Sequence, residues 1–206
     1  MICNFPKMEW NFTLDSVIES IATVLALICL YFTIKQKVYL WIFGIASSAL
    51  LMFVLGKSKI YANMLLQLYY VIISVYGWIA WSKKKDDKNQ ILRITLTSFR
   101  VWLILGFVFG IIFASTYYIL RFYTDTDVPI LDSFTTALSI IATYMLARKH
   151  LEHWILWIVV DAISLCLYGY KERYQLFFLF MVYTISAFYG YFSWRKQYQK
   201  QVTLIT

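Results

Sequence analysis

The chain has 206 residues, 61% of them hydrophobic, and its mean hydropathy is +0.65. A soluble domain could not hide that many apolar side chains, so the composition excludes one and indicates several membrane-spanning segments. The net charge of +8 could suggest a nucleic-acid binder, but Lys and Arg lie at the ends of the apolar runs, as orientation signals do, and no nucleic-acid partner is expected.

The three cysteines, Cys3, Cys29 and Cys166, form no CxxC pair and no metal-binding pattern. Cys29 and Cys166 lie inside apolar runs and are expected to be core thiols. No cofactor, metal or disulfide is predicted. The first fifteen residues lack a basic segment before an apolar one, so no cleaved signal peptide is expected.

Seven apolar runs predict seven membrane helices. Their approximate ranges are 17–34, 39–55, 61–81, 99–120, 134–147, 154–170 and 175–194. Residues 82–93 form the most polar stretch and are predicted to be a loop. Residues 124–129 are a second break, because Pro129 ends any helix that precedes it.

Lys and Arg are distributed unequally between the two sides that seven spans would define. One side holds six of them, and the other holds thirteen, which together account for all nineteen. Because the cytoplasmic side of a membrane protein carries the excess, we predict a multi-pass protein of the bacterial inner membrane with its N-terminus outside and its C-terminus inside.

The sequence contains an internal repeat with an offset of 113 residues and no gap. The matching identities include Trp41 with Trp154, Gly56 with Gly169, Tyr70 with Tyr183, Gly77 with Gly190, and Trp81 with Trp194. The predicted fold class is therefore an all-α membrane protein with two parallel three-helix repeats, at 15–81 and 132–194. A loop and linker helix at 82–131 join them, and a cytoplasmic tail follows at 195–206.

Parallel repeats of this kind place a substrate site at their shared interface, so the polar groups hidden within the spans are its candidates. Asp161 is the strongest of these, because it is the only carboxylate in the middle of a span and a charge there is costly unless it is used. The alternatives are a structural Asp paired with a Tyr or Trp donor, and a span with other limits that would place Asp161 near the membrane interface. Gln67 could bind substrate or join helices. The predicted substrate-binding residues are Trp41, Ser47, Ser48, Gln67, Tyr70, Ser74, Trp154, Trp157, Asp161, Ser164, Tyr168 and Tyr183.

Other residues of the same types are expected to have ordinary roles. Trp78, Trp81 and Trp194 lie near span ends and are interpreted as anchors at the membrane interface. His150 and His153 lie beside basic residues at a helix entry and are interpreted as surface histidines.

Two segments, YANMLLQLYYVIISVYGWIAW (61–81) and ARKHLEHWILWIVVDAISLCLYG (147–169), resemble the PnuC family of bacterial vitamin transporters. The resemblance extends from about Asp15 to Trp194. It implies a SWEET-like arrangement of three spans, a linker and three spans, and a homo-trimer. It further implies downhill import by alternating access, after which a cytoplasmic kinase phosphorylates and so traps the substrate.

Within this family, nicotinamide riboside, thiamine and riboflavin are the implied substrates. The chain departs from the riboside pattern, because Ser47, Ser48 and Asp161 stand where Asn would be expected. A carboxylate suits a fixed positive charge or an aminopyrimidine edge, and both nicotinamide riboside and thiamine carry a cationic aromatic ring. The sequence favours these two equally. Riboflavin, a sugar, a small intramembrane enzyme and a structural or signalling protein are the alternatives, and an enzyme is not expected because no second acid, base or nucleophile with a partner accompanies Asp161.

Overall fold

The computed structural model describes residues 14–57, 61–82, 92–124 and 126–204, which form seven helices. They are α1 (Leu14–Ile34), α2 (Tyr39–Lys57), α3 (Tyr61–Ser82), α4 (Phe99–Tyr123), α5 (Pro129–Ala147), α6 (His153–Tyr170) and α7 (Tyr174–Thr203). Six of them, α2 to α7, are long and apolar enough to cross a membrane. The continuous part of α1 whose side chains are described is a shorter apolar helix, Ser20–Ile34. The all-helical membrane class is therefore confirmed.

The helix boundaries follow the local sequence. α4 ends at Tyr123, and α5 begins with Pro129 in its first turn, where a missing N–H costs nothing. α7 continues nine residues beyond the predicted end at Trp194, because the polar residues that follow are good helix formers outside an apolar core. The tight turns after α1 and α5 each contain one residue in the left-handed region, Gln36 with φ 54° and Lys149 with φ 56°.

Packing follows the chain order within two groups of three helices. α2 packs against both α1 and α3, α6 packs against both α5 and α7, and α4 packs against α5. Between the groups, α3 contacts α5 and α1 contacts α7. A shift of 113 residues places α1 on α5 and α3 on α7, so the α1–α7 contact is the counterpart of the α3–α5 contact.

Two glycines allow two tryptophans to lie flat against a neighbouring helix. A Cβ on Gly77 would come within 2.3 Å of the Trp41 ring, and one on Gly190 within 2.5 Å of the Trp154 ring. No side chain fits in either place, so glycine is required by the close approach. Both the two glycines and the two tryptophans are separated by 113 positions.

A buried aromatic cluster lies at one end of the helix bundle, where α1, α3 and α5 finish and α2 and α6 begin. Its members, here called the tryptophan cluster, are Trp41, Trp81, Trp154 and Trp194. Trp41 meets Trp81 edge to face at 5.5 Å between centroids, Trp154 meets Trp194 at 5.8 Å, and Trp81 lies 6.3 Å from Trp194. We call this side of the molecule the tryptophan end.

Three interpretations of the sequence are wrong here. Trp81 and Trp194 are not anchors at the interface, because both are buried in the protein. Each indole N–H donates a hydrogen bond to a carbonyl oxygen near the end of a neighbouring helix. His153 is not a surface residue. It is fully buried between Trp154 and Trp194, and its Nδ1 lies 2.7 Å from the His150 carbonyl oxygen. Cys166 is exposed on the outside of α6, whereas Cys29 is half-buried as expected and Cys3 lies outside the described residues.

Candidate substrate site

Asp161 lies buried in the middle of α6, and tyrosines of two other helices lie near it. Its carboxylate is close enough to act electrostatically on the hydroxyls of Tyr70 in α3 and Tyr183 in α7. Tyr70 also forms a hydrogen bond with Ser139 of α5. No hydrogen bond or ion pair from a described residue reaches the carboxylate, so its charge is available to a ligand. Ser164, one turn along α6, is buried on the same side.

An aromatic wall continues from these hydroxyls. The ring of Tyr168 stacks on Phe180 at 5.2 Å between centroids, and Tyr183 meets Phe180 edge-on at 5.7 Å. Phe180 therefore lies between two of the predicted residues. Faces of aromatic rings beside a carboxylate are suited to a flat cationic ligand.

Gln67 and Tyr70 are one turn apart on α3, and both are partly buried. Ser74 is one turn further and fully buried, with its Oγ 3.3 Å from the position of a Cβ on Gly44, so it faces α2. The structure therefore aligns Gln67 with Tyr70, while Ser74 contributes to the packing of α2 on α3.

The remaining candidates lie on α2 and on the first half of α6. Ser47 is buried and its hydroxyl donates to the Ala22 carbonyl oxygen at 2.9 Å, which joins α1 to α2, and Ser48 is buried beside it. Trp157 is half-buried one turn from Asp161. Trp41 and Trp154 belong to the tryptophan cluster, and Trp154 begins two turns, about 10 Å, from Asp161 along α6.

Sequence reasoning missed three residues of this region: Ser139, Phe180 and Tyr69, whose hydroxyl donates to the Ile140 carbonyl oxygen at 2.7 Å. Ser139 and Ile140 lie on α5, for which no site residue was predicted. Phe180 could have been found, because it is the offset counterpart of Gln67.

The site is chemically suited to binding rather than to bond making. It offers one carboxylate, several hydroxyls, one carboxamide and aromatic faces. Among the residues that the structure describes, no three His, Cys, Asp or Glu side chains are grouped so that they could hold a metal ion.

Residues 16–196 match the family model described as Nicotinamide mononucleotide transporter. Curated relatives named "Nicotinamide riboside transporter PnuC" include one from Escherichia coli (strain K12), 25% identical over 87% of this chain and 85% of the relative. Another, from Neisseria mucosa, is 26% identical over 95% of this chain and 78% of the relative, and a third, from Haemophilus influenzae, is 23% identical over 89% and 81%.

One solved structure is similar to this chain in fold. It is titled "Crystal structure of the Vitamin B3 transporter PnuC" and superposes with a TM-score of 0.71 at 25% identity, covering 92% of this chain and 85% of that one.

Proposed function

Because this chain belongs to the nicotinamide mononucleotide transporter family and is a multi-pass inner-membrane transporter rather than an enzyme, we propose that it imports nicotinamide riboside. The observation that carries the proposal is the buried Asp161 carboxylate, which lacks a partner among the described residues and lies near the hydroxyls of Tyr70 and Tyr183. Nicotinamide riboside is a pyridinium cation with a hydroxyl-rich sugar. The carboxylate would face the ring charge, and the phenolic hydroxyls would bond the sugar or the amide.

Thiamine is the second candidate, and the same residue favours it. A carboxylate accepts hydrogen bonds from an aminopyrimidine better than an amide does, and it also attracts the thiazolium charge. Ser47 and Ser48, at positions where the riboside pattern has Asn, leave less amide chemistry for a carboxamide ligand.

Direct binding tests the proposal. Purified protein is titrated calorimetrically with nicotinamide riboside, thiamine and riboflavin, the last being neutral. The proposed function requires saturable binding of nicotinamide riboside that is at least tenfold tighter than binding of the other two. Tighter binding of thiamine would make thiamine the substrate. Binding of riboflavin alone would show that the Asp161 charge does not select the ligand.

The proposed mechanism is facilitated diffusion by alternating access, with the substrate trapped by phosphorylation in the cytoplasm. One intramembrane carboxylate without a described basic partner is a poor proton relay. In kinase-free vesicles, labelled substrate should reach equal concentrations inside and outside and go no further. Accumulation above the outside concentration that an uncoupler abolishes would contradict this.

The proposed architecture is the parallel 3+1+3 arrangement of the SWEET type, with the C-terminus and the tryptophan end in the cytoplasm. Its support is the pair of glycine–tryptophan contacts at matched positions, and the exchange of the α3–α5 and α1–α7 contacts under the 113-residue shift. The excess of thirteen basic residues over six supports the orientation. Reporter fusions to the C-terminus should be active only when the reporter works in the cytoplasm.

We also propose a homo-trimer, as the family resemblance implies. Its support is the family resemblance alone, because exposed apolar side chains of α4 such as Phe107 and Phe122 suit contact with lipid as well as with another subunit. Light scattering of the detergent-solubilised protein should give three times the 24.4 kDa chain mass after subtraction of the detergent.

A further inference from the structure

The two groups of helices are joined by contacts of unequal length. Along α3 and α5, described hydrogen bonds run from Tyr69 with the Ile140 carbonyl, through Tyr70 with Ser139, to Trp81 with the Ala147 carbonyl. Twelve residues of α3 separate the first from the last, which is about 18 Å of helix. We call this contact the α3–α5 seam.

Among the side chains that the structure describes, the matching contact between α1 and α7 is less extensive. Its described hydrogen bonds lie at the tryptophan end: Trp194 Nε1 donates to the Thr33 carbonyl oxygen at 3.1 Å, and Gln36 Nε2 donates to Gln197 Oε1 at 2.7 Å. Trp194 and Gln197 are three residues apart, about 4.5 Å of helix. We call this contact the α1–α7 seam, and α1 and α7 are also the less extensively packed of the two pairs.

Gln36 connects the α1–α7 seam to the other side of the bundle. Its Nε2 bonds Gln197 in α7, while its Oε1 lies 3.5 Å from the ammonium of Lys149 in the turn after α5. That ammonium is 4.3 Å from the centre of the Trp81 ring. One side chain therefore links the turn after α1 both to α7 and to the cation that covers the tryptophan cluster.

Two indole donors within the cluster lack partners. Trp41 Nε1 and Trp154 Nε1 are buried and make no hydrogen bond, although buried donors are normally satisfied. Separation of the helices at this end would let water or substrate reach both of them. A closed end that leaves two donors unpaired is less stable relative to an open one than a fully satisfied end would be.

We propose that the tryptophan end is the exit gate of the transporter, and that it opens by parting of the α1–α7 seam while the α3–α5 seam persists as the hinge. The short seam costs two described hydrogen bonds to open, whereas the long seam would cost bonds along most of the height of α3. Gln36 is the latch, because one movement of its side chain releases α7 and the Lys149 ammonium together. This inference rests on the proposed transport function.

Two cysteine pairs at the same end of the molecule test it, in a background where Cys3, Cys29 and Cys166 are serine. The latch pair is Gln36→Cys with Gln197→Cys, across the α1–α7 seam. The matched hinge pair is Tyr76→Cys with Arg148→Cys, whose native side chains meet at 3.2 Å across the α3–α5 seam. Both pairs are reconstituted in vesicles, closed with a short bifunctional thiosulfonate and reopened with a reductant.

Closing the latch pair should lower substrate uptake at least tenfold, with recovery in reductant, while closing the hinge pair should change uptake less than twofold. Substrate binding is measured in detergent on the parent and on both variants, before and after cross-linking. A variant that lacks the binding seen in the parent is misfolded, whereas a parent that does not bind the substrate shows that the proposed function has failed. Normal uptake with the latch closed, or equal loss with the hinge closed, would overturn the gate.

Discussion

The side chains of Gln36 and Lys149 meet at 3.5 Å although the residues are 113 positions apart, and both residues have the same left-handed backbone conformation. Each therefore occupies the turn between the first and second helix of its group. Gln36 is neutral and Lys149 carries a charge, so the two turns have the same backbone conformation but differ in charge.

The first prediction concerns Lys149. Burial lowers the pKa of its ammonium from 10.5 to about 8. Below about pH 8 the folded and unfolded states both hold the proton, whereas from pH 8 to 10.5 the unfolded state holds more, so stability should rise with pH across that window. Lys149→Met should abolish this rise and increase the unfolding midpoint near pH 7 by about 2–4 °C, the equivalent of roughly 1 kcal/mol.

Thermal unfolding in detergent at pH 7, 8, 9 and 10 measures this dependence. Lys196→Met is the control, because Lys196 is exposed on α7 and its substitution removes the same charge from a site that is not buried. A parallel rise with pH in both the parent and Lys149→Met would assign the effect to other groups.

The second prediction concerns the glycine–tryptophan contacts. Gly77→Ala and Gly190→Ala each place a methyl group inside the van der Waals radius of an indole ring, and each should destabilise the fold by about 1–3 kcal/mol. Gly106→Ala in α4 is the control, because its Cβ would meet no atom within 4 Å, and it should be neutral or up to about 1 kcal/mol stabilising. Unfolding midpoints of the three variants decide the matter, and an unchanged midpoint for Gly77→Ala would show that Trp41 can move away freely.

The third prediction concerns Gln67. Gln67→Leu should preserve folding and weaken substrate binding by about 1–3 kcal/mol, the scale of one lost buried polar interaction. The neighbouring Leu68 is exposed, so Leu68→Ala provides a control at nearly the same depth. Calorimetric affinity is the measurement. If Gln67→Leu binds substrate with the same affinity as the parent protein, Gln67 serves helix packing and not substrate binding.

The fourth prediction concerns Asp161, which Asp161→Asn replaces with a group of the same shape and no charge. A thiamine site should lose about 1.5–3 kcal/mol, because a charge-assisted hydrogen bond becomes a neutral one. A nicotinamide riboside site should lose less, because the new amide can pair with the ligand's carboxamide and only the attraction to the ring charge is removed. Titration of this variant with both ligands separates the two substrates. If the affinities for both equal those of the parent, Asp161 does not contact substrate.

The helices could be predicted from the sequence because each one is an uninterrupted apolar run between polar turns. The ranges 39–55, 61–81 and 154–170 agree with α2, α3 and α6 to within two residues. Asp161 and Tyr70 could be chosen as candidates for the same reason, since a polar group in the middle of such a run is visible without knowledge of any neighbour. Asp161 is buried and Tyr70 partly buried, as expected of candidates.

Other features depend on which helices meet, and the sequence does not show that. Trp194 and His153 are near span ends, where tryptophan usually contacts lipid headgroups and histidine contacts water, but the two helix groups meet there and bury both residues. Ser139 and Phe180 became candidates only when the structure placed them against Tyr70 and Tyr168. The glycines at 77 and 190 were visible as a repeated pair, whereas the indole ring against each was not.

The Trp81–Ala147 bond has a consequence for the order of assembly. Trp81 ends the third helix to be synthesised, and its hydrogen-bond acceptor lies 66 residues later, after two further helices have been made. The contacts among α1, α2 and α3 are between successive helices and can form as the chain emerges. Until α5 is inserted, the Trp81 indole N–H therefore lacks its acceptor. Water at the membrane interface has to hydrate that N–H during this time. Slow insertion of α4 or α5 would prolong the time for which Trp81 depends on water at the membrane interface.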